Sequence, residues 1–263
     1  METIPIKVTV LGSGTSTGVP VIACQCSVCL SPSPFNKRTR ASLLISNLLT
    51  DKNLIIDTSP DFRAQVLRHD VRHLEYVLFT HTHADHLHGL DDLRAFNFYH
   101  KTPVECWIAS RHVSELKDRF SYVFKPTKYM GTKPHILLHE LADSAFRVGD
   151  YDVEMVEVPH GDNLTSAYRF GSFAYATDFK KFPEEIIERW KGKVKFFIAS
   201  GIGFKEHPTH SSVPETIKLF ERLGVSKGII THLSHGVDYE RDKVHLPSHV
   251  EYAYDGMEFT LKI

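Results

Sequence analysis

Four side chains able to bind a metal fall within six residues of Thr80-His81-Thr82-His83-Ala84-Asp85-His86, directly after the apolar run Tyr76-Val77-Leu78-Phe79. Such a run reads as a buried strand. His81 and His83 are two apart, so on extended backbone their imidazoles project to the same side. Asp85 and His86 follow, where the chain turns into a short helix. Imidazole nitrogen and carboxylate oxygen are the donors that borderline divalent cations accept. One ion cannot easily use all four groups. The spacing suits two ions, with His81 and His83 on one and Asp85 and His86 on the other.

The rest of the chain supplies more strand ends of this kind. Residues 6–11 read as a first strand running into Gly12-Ser13-Gly14-Thr15-Ser16-Thr17-Gly18-Val19-Pro20. A phosphate-binding loop is disfavoured there: no GK[ST] follows, Pro20 interrupts, and no helical pattern comes next. A tight loop under a site is the better account. Runs 42–46 and 53–57 read as a hairpin ending at Asp57, which is either a carboxylate that orients a metal-binding imidazole or a plain strand-end acid. Ser59, Pro60 and Asp61 then read as N-cap, first helical residue and first-turn acid. Residues 89–100 are predicted helical and 104–109 a strand, with Cys106 as a small buried hydrophobe. Ser110 is predicted to cap a helix bearing Val113, Leu116 and Phe120. The stretch 125–134 reads as a long loop, an ordinary surface segment or a lid over a site.

In the second half, strands are predicted over 151–158, ending at Pro159-His160, and over 167–171 and 172–176, ending at Thr177-Asp178. A helix over 182–190 and a strand over 194–200 follow. Ser212 and Glu215 form a capping box for a helix that Gly224 stops. The strand 227–231 ends at His232, and 257–263 closes the chain. Strands alternating with helices in two similar halves predict a layered α/β body, one domain over 1–263.

Composition narrows the class. With 263 residues, 42% hydrophobic and 24% charged, the chain can bury a sizeable core. A formal net charge of −1 lacks the basic excess of most nucleic-acid binders. No run is long and apolar enough to span a membrane, and the first residues lack a signal-peptide pattern, which points to a cytoplasmic protein. Three of the four cysteines sit in Cys24-Gln25-Cys26-Ser27-Val28-Cys29. In a reducing compartment that spacing suggests zinc, which needs a fourth ligand.

The His81-x-His83-x-Asp85-His86 run, with His160, Asp178 and His232 each just beyond a later apolar run, resembles the HxHxDH signature and downstream ligands of the metallo-β-lactamase superfamily. The resemblance implies a four-layer αββα sandwich and hydrolysis by a hydroxide held between two divalent metals, zinc or manganese. It implies that His81, His83 and His160 hold one metal, that Asp85, His86 and His232 hold the other, and that Asp178 bridges them at about 3.5–4 Å separation. An Asp at the position of Asp178 is typical of the phosphodiesterase and thioesterase branches. The antibiotic-hydrolysing enzymes lack it, so penicillin cleavage is not expected.

Three features bring the chain nearest in resemblance to the PhnP-type cyclic phosphodiesterases, and beyond them to the tRNA 3′-processing endonucleases. These are the Gly-rich first loop, the cysteine cluster, and Thr231-His232-Leu233-Ser234-His235. In that subfamily three cysteines and the later His hold a structural zinc, here Cys24, Cys26, Cys29 and His235. A His preceding the capped helix protonates the leaving group; His210 is the expected residue and His207 its competitor. A neutral-range pKa would suit that role. Asp85, Asp178 and His210 are thus the expected catalytic residues. The expected reaction is hydrolysis of a small phosphodiester, cyclic ones included. The alternatives are a nuclease, a thioester or lactone hydrolase on the same metals, and a non-catalytic metal-stabilised binding module in cofactor biosynthesis. Arg38, Arg40, Arg63 and Lys205 lie near the motif loops and are candidates for binding phosphate, with ordinary surface charge as the plainer reading. No basic arm suited to gripping tRNA is visible, so nucleic acid is disfavoured as a partner; a homodimer is compatible with the sequence.

Overall fold

A computed structural model describes residues 3–126 and 132–263. The loop expected over 125–134 therefore lies partly outside the described residues. In the first half, β1 (Pro5–Gly12), β2 (Ser42–Asn47), β3 (Asn53–Ile56), β4 (Tyr76–Leu78), β5 (Val104–Ala109) and β6 (Ile136–Leu141) lie side by side in chain order. In the second, β7 (Ala145–Val148), β8 (Tyr151–His160), β9 (Asn163–Phe170), β10 (Phe173–Ala176), β11 (Phe196–Ser200), β12 (Lys227–Thr231) and β13 (Val250–Tyr252) do the same. The last strand, β14 (Glu258–Lys262), returns to the first sheet and pairs antiparallel with β1.

Both sheets follow one plan. Each opens with antiparallel strands and turns parallel, at β3 in the first and β10 in the second. Parallel neighbours cannot be joined by a tight turn, so each crossover carries a helix. Those crossovers include Phe62–Arg68 and Ser110–Arg119 in the first half, and Glu184–Trp190 and Val213–Leu223 in the second. The period-2 alternation of strand side chains makes the layers. Leu43 and Ile45 join Tyr168, Phe170 and Ile198 in the core between the sheets, whereas Leu44 between them packs outward with Phe62 and Phe96. A third cluster, around Phe182, Trp190, Phe197 and Phe220, fills the space between the second sheet and its helices. The result is the αββα sandwich that the sequence resemblance implied.

Several expectations need correction. The first crossover helix begins after Asp61, two residues later than Pro60. Ser59 is fully buried; its hydroxyl accepts from the Asp61 amide and donates to Gln65, making a turn that precedes the helix. Ser110 is the first helical residue, and its hydroxyl donates to the Leu141 carbonyl instead of capping. Strands β6, β7 and β13 escaped the sequence reading. The last two have four and three residues, too few to display a period. The capping box at Ser212 and the left-handed Gly224 stop are both present as expected.

Candidate active site and metal centres

The ligand-bearing residues stand where strands stop. Asp57 follows β3, His81 and His83 follow β4, His160 ends β8, Asp178 follows β10 and His232 follows β12. Three of these turn the chain through left-handed backbone, with φ of 65° at Asp57, 54° at Asp178 and 57° at His232. Non-glycine residues seldom adopt that conformation, which costs roughly 1–3 kcal/mol and clusters at functional sites. Here it swings each side chain back over the sheet edge toward a common centre.

At that centre two ligand groups form, His81, His83, His160 and Asp178 on one side, and Asp85, His86, Asp178 and His232 on the other. Within each, the ligating atoms lie within 4.8 Å of one another. Asp178 belongs to both. Its Oδ1 lies 3.0 Å from His232 Nε2 and 3.5 Å from His86 Nε2, and its Oδ2 lies 3.8 Å from both His81 Nε2 and His160 Nε2. The inward nitrogens of His81, His86 and His232, and Asp85 Oδ2, are buried without a hydrogen-bond partner. Buried polar atoms are seldom left so. Their convergence on two points, with neutral imidazoles and carboxylates as donors, fits a pair of divalent cations.

The far nitrogens of three imidazoles are held. His81 Nδ1 lies 3.0 Å from Thr80 Oγ1, His160 Nδ1 donates to the Thr209 carbonyl at 3.0 Å, and His86 Nδ1 donates to Asp57 Oδ2 at 2.7 Å. Asp57 also accepts from the Thr80 amide and hydroxyl, each at 2.8 Å. Of its two sequence readings, the orienting carboxylate is the one the geometry supports. Thr209 was not singled out in the sequence, since it contributes only a backbone oxygen.

Charge in the cluster reflects this crowding. Burial acts to raise the Asp178 carboxyl, but the His232 and His86 imidazoles reverse it and hold it well below the usual carboxylate range. Burial lowers His232, yet Asp178 brings it up to about 9. His86 is likewise raised against burial by Asp85, Asp178 and Asp57. His81, surrounded by other imidazoles, is pushed well below its ordinary value by burial. The carboxylates thus favour positive charge at this centre, which divalent cations would supply.

A cleft of about 580 Å³ opens above the cluster, lined by Ser16, His83, Asp85, His160, Gly161, Asp162, Asn163, Asp178, Thr209 and His210. His210 faces it, its ring centroid 4.6 Å from that of His160 and 5.2 Å from that of His232. His207 instead turns its Nδ1 toward the amides of Thr209 and His210, at 3.3 Å each, and bends the loop that presents His210. The neutral-range pKa expected of His210 is not what its surroundings provide. Burial pushes it down to about 3, and the Asp178 carboxylate does not offset this. Asp162 and Asn163 reach the cleft from the tight turn between β8 and β9. Their place was not legible because β9 begins at Asn163, four residues before the predicted 167.

None of the four basic candidates lines the cleft. Arg38 is buried, with its guanidinium on the carbonyls of Phe35, Ser234 and Val237 and on Asn36. Arg40 pairs with Asp61 at 2.9 Å. Arg63 lines a separate groove, and Lys205 does not line the cleft.

The cysteine loop closes on the end of β12. His235 Nδ1 lies 3.2, 3.5 and 3.6 Å from the sulfurs of Cys24, Cys26 and Cys29. A tetrahedron with zinc-ligand bonds of about 2.0–2.3 Å has edges of about 3.5 Å, so this Cys₃His group fits zinc. The backbone amide of Cys29 helps bring the Cys26 thiol down to about 6, whereas burial pushes Cys29 up to about 11. Cys106, fully buried in β5, is far from this group in the fold and behaves as the small hydrophobe expected.

Comparison with known proteins bears on the family and the fold. Residues 52–233 match the β-lactamase superfamily domain. The chain is 39% identical over 252 residues to a protein of Porphyromonas gingivalis named octanoyltransferase, covering 94% of this chain and 50% of that protein. The chain thus spans about half the length of that relative. Among solved structures, a diphosphatase from the PhnP family superposes with a TM-score of 0.91 at 33% identity, covering 99% of each chain. Zinc-bound PqqB from Methylobacterium extorquens shares the fold, with a TM-score of 0.77 at 18% identity and coverage of 97% and 100%. So does the short form of human tRNase Z, at 0.67 and 15%, with 96% and 98% covered. Two seven-stranded sheets, ligands at their strand ends and a 33%-identical neighbour along almost the whole chain lead to one assignment: this chain belongs to the metallo-β-lactamase superfamily, near its PhnP-type hydrolases.

Proposed function

We propose that the protein is a metal-dependent hydrolase of phosphoric esters or anhydrides, cleaving a small phosphodiester, cyclic ones included, or the anhydride linkage of a small diphosphate. One observation carries this reading: Asp178 stands between two ligand groups with one oxygen toward each, directly beneath a cleft that His210 faces. Asp85, His86 and His232 would hold one cation, His81, His83 and His160 the other, with Asp178 shared. When bound, the pair supplies an acidified water and neutralises charge on phosphoryl oxygens. Cys24, Cys26, Cys29 and His235 would hold a structural zinc.

His210 is the residue proposed to carry the leaving group's proton. Burial favours its neutral form. An anionic phosphate seated beside it favours the charged imidazolium, so the acid is armed by the substrate that needs it.

A second reading comes from the relative named octanoyltransferase, whose name describes acyl chemistry. The cleft supports phosphate better. Among the described residues every one that lines it is polar or glycine, with no apolar side chain to bury an octanoyl tail. The test compares bis(p-nitrophenyl) phosphate, a 2′,3′-cyclic phosphate, a diphosphate diester and an octanoyl thioester, each with zinc and with manganese. Turnover of a phosphate substrate with the thioester untouched is expected. Thioester cleavage with all phosphates untouched overturns the proposal, and turnover of none favours a binding module.

A further inference from the structure

The segment from Thr80 to His83 has two sides. Extended-chain alternation sends His81 and His83 toward the ligand cluster and Thr80 and Thr82 the other way. Thr80 takes hold of Asp57, which braces His86. Thr82, fully buried, donates its hydroxyl to Glu115 Oε2 at 2.5 Å. Glu115 projects from the helix Ser110–Arg119, where Arg119, one turn on, pairs with its other oxygen at 2.5 Å. The Thr82 hydroxyl is the largest influence holding the Glu115 carboxyl below its ordinary range. The same helix is tied to the cleft's opposite lip, because His112 Nε2 donates to the Leu164 carbonyl at 3.0 Å, next to Asn163.

This matters for His83. His81, His86 and His160 each have a partner for the far nitrogen. Among the described residues, none serves His83, and its ring is only half-buried. Its orientation rests on the His81 and His160 rings it packs against, 4.5 and 5.2 Å between centroids, and on the backbone, which at Thr82 is tied to Glu115 through the threonine hydroxyl.

We propose that Glu115 is a positioning residue that acts through Thr82 to hold His83, and so sets the occupancy of the metal site formed by His81, His83, His160 and Asp178. It would do for His83 from a helix surface what Asp57 does for His86 from within the core. Partners behind a ligand commonly govern metal affinity by 10–100-fold.

The proposal rests on the two-metal reading above, and its test separates the two. Dissociation constants for each zinc are measured by chelator competition on the full-length wild type, Glu115→Ala, Glu115→Gln, Thr82→Val and Thr82→Ser. The expected result is that Glu115→Ala and Thr82→Val weaken one active-site metal about 10–100-fold while the other and the structural zinc stay within about threefold. Glu115→Gln and Thr82→Ser, which keep an acceptor and a hydroxyl, should restore most of the loss. A wild type that binds two active-site metals alongside variants with unchanged constants overturns the inference and leaves the function standing. Equal weakening of all three metals also overturns it, since that signals general loosening of the fold. A wild type without paired metals overturns the reading of the site itself.

Discussion

The two candidate metal centres of this chain differ in how they are assembled and in what they leave open. The cysteine centre takes three ligands from one six-residue loop and a fourth from the end of β12, and its four donors close on one point. The histidine centre draws on four separate strand ends, shares one carboxylate between two groups, and opens to a cleft of about 580 Å³. A closed shell with local ligands holds the chain together; an open shell with scattered ligands needs the fold already built and can then act on something else. One short link between them is the step from His232 to His235. Along it, Leu233 is tied on both sides to the glycine loop, through the Ser13 carbonyl and the Thr15 amide.

Several variants would break or sharpen this contrast. The largest effect is expected for Asp178→Ala, which should lower kcat/KM by more than about 10³-fold and release at least one active-site metal while the structural zinc stays. Metal counting alongside kinetics checks it, and two retained metals with near-normal turnover would refute the bridging role. His210→Ala should keep full metal content yet slow esters of poor leaving groups about 10²–10³-fold, with p-nitrophenyl esters much less affected. A uniform slowing across leaving groups would argue against an acid. Cys26→Ser should move the other way, lowering Tm by roughly 5–10 °C while the surviving folded protein keeps kcat within about threefold.

The smallest expected effect is on pH. In the metal-free chain, His232 is raised from its ordinary value of 6.5 to about 9. A raised histidine contributes stability that is full below about pH 6.5 and is lost as pH climbs through about 9. Thermal melts of the chelated protein should therefore decline over that window. Those of the metal-loaded protein should hold, because cations have replaced the protons. A flat profile for the chelated protein would show that His232 is not paired with Asp178.

Much of this was legible in the sequence because it is written in local pattern. The HxHxDH run, the cysteine spacing and the Ser212 capping box each sit within a few residues, and each lies in the structure where the pattern put it. What was not legible depends on distant contacts. Thr209 offers His160 only a carbonyl, which no side-chain pattern can report. Glu115 looks like any helix-surface acid until the helix is laid beside Thr82. Arg38 reads as surface charge beside a motif loop, yet four partners from two loops draw it inside, where burial lowers its pKa to about 10 despite nearby aspartates. Ser59 and Ser110 misled because a serine before a helical pattern signals a cap only when its hydroxyl has no other partner, and here Ser59 bonds the Gln65 side chain and Ser110 the Leu141 carbonyl.

The left-handed turns at Asp57, Asp178 and His232 place the molecule's usefulness in opposition to its comfort. Each holds a side chain where a glycine would rest more easily. A lineage freed from the need for turnover should drift toward glycine or asparagine at these three corners first and gain thermal tolerance as it does so. The order in which they relax would then be a record of when the chemistry was given up.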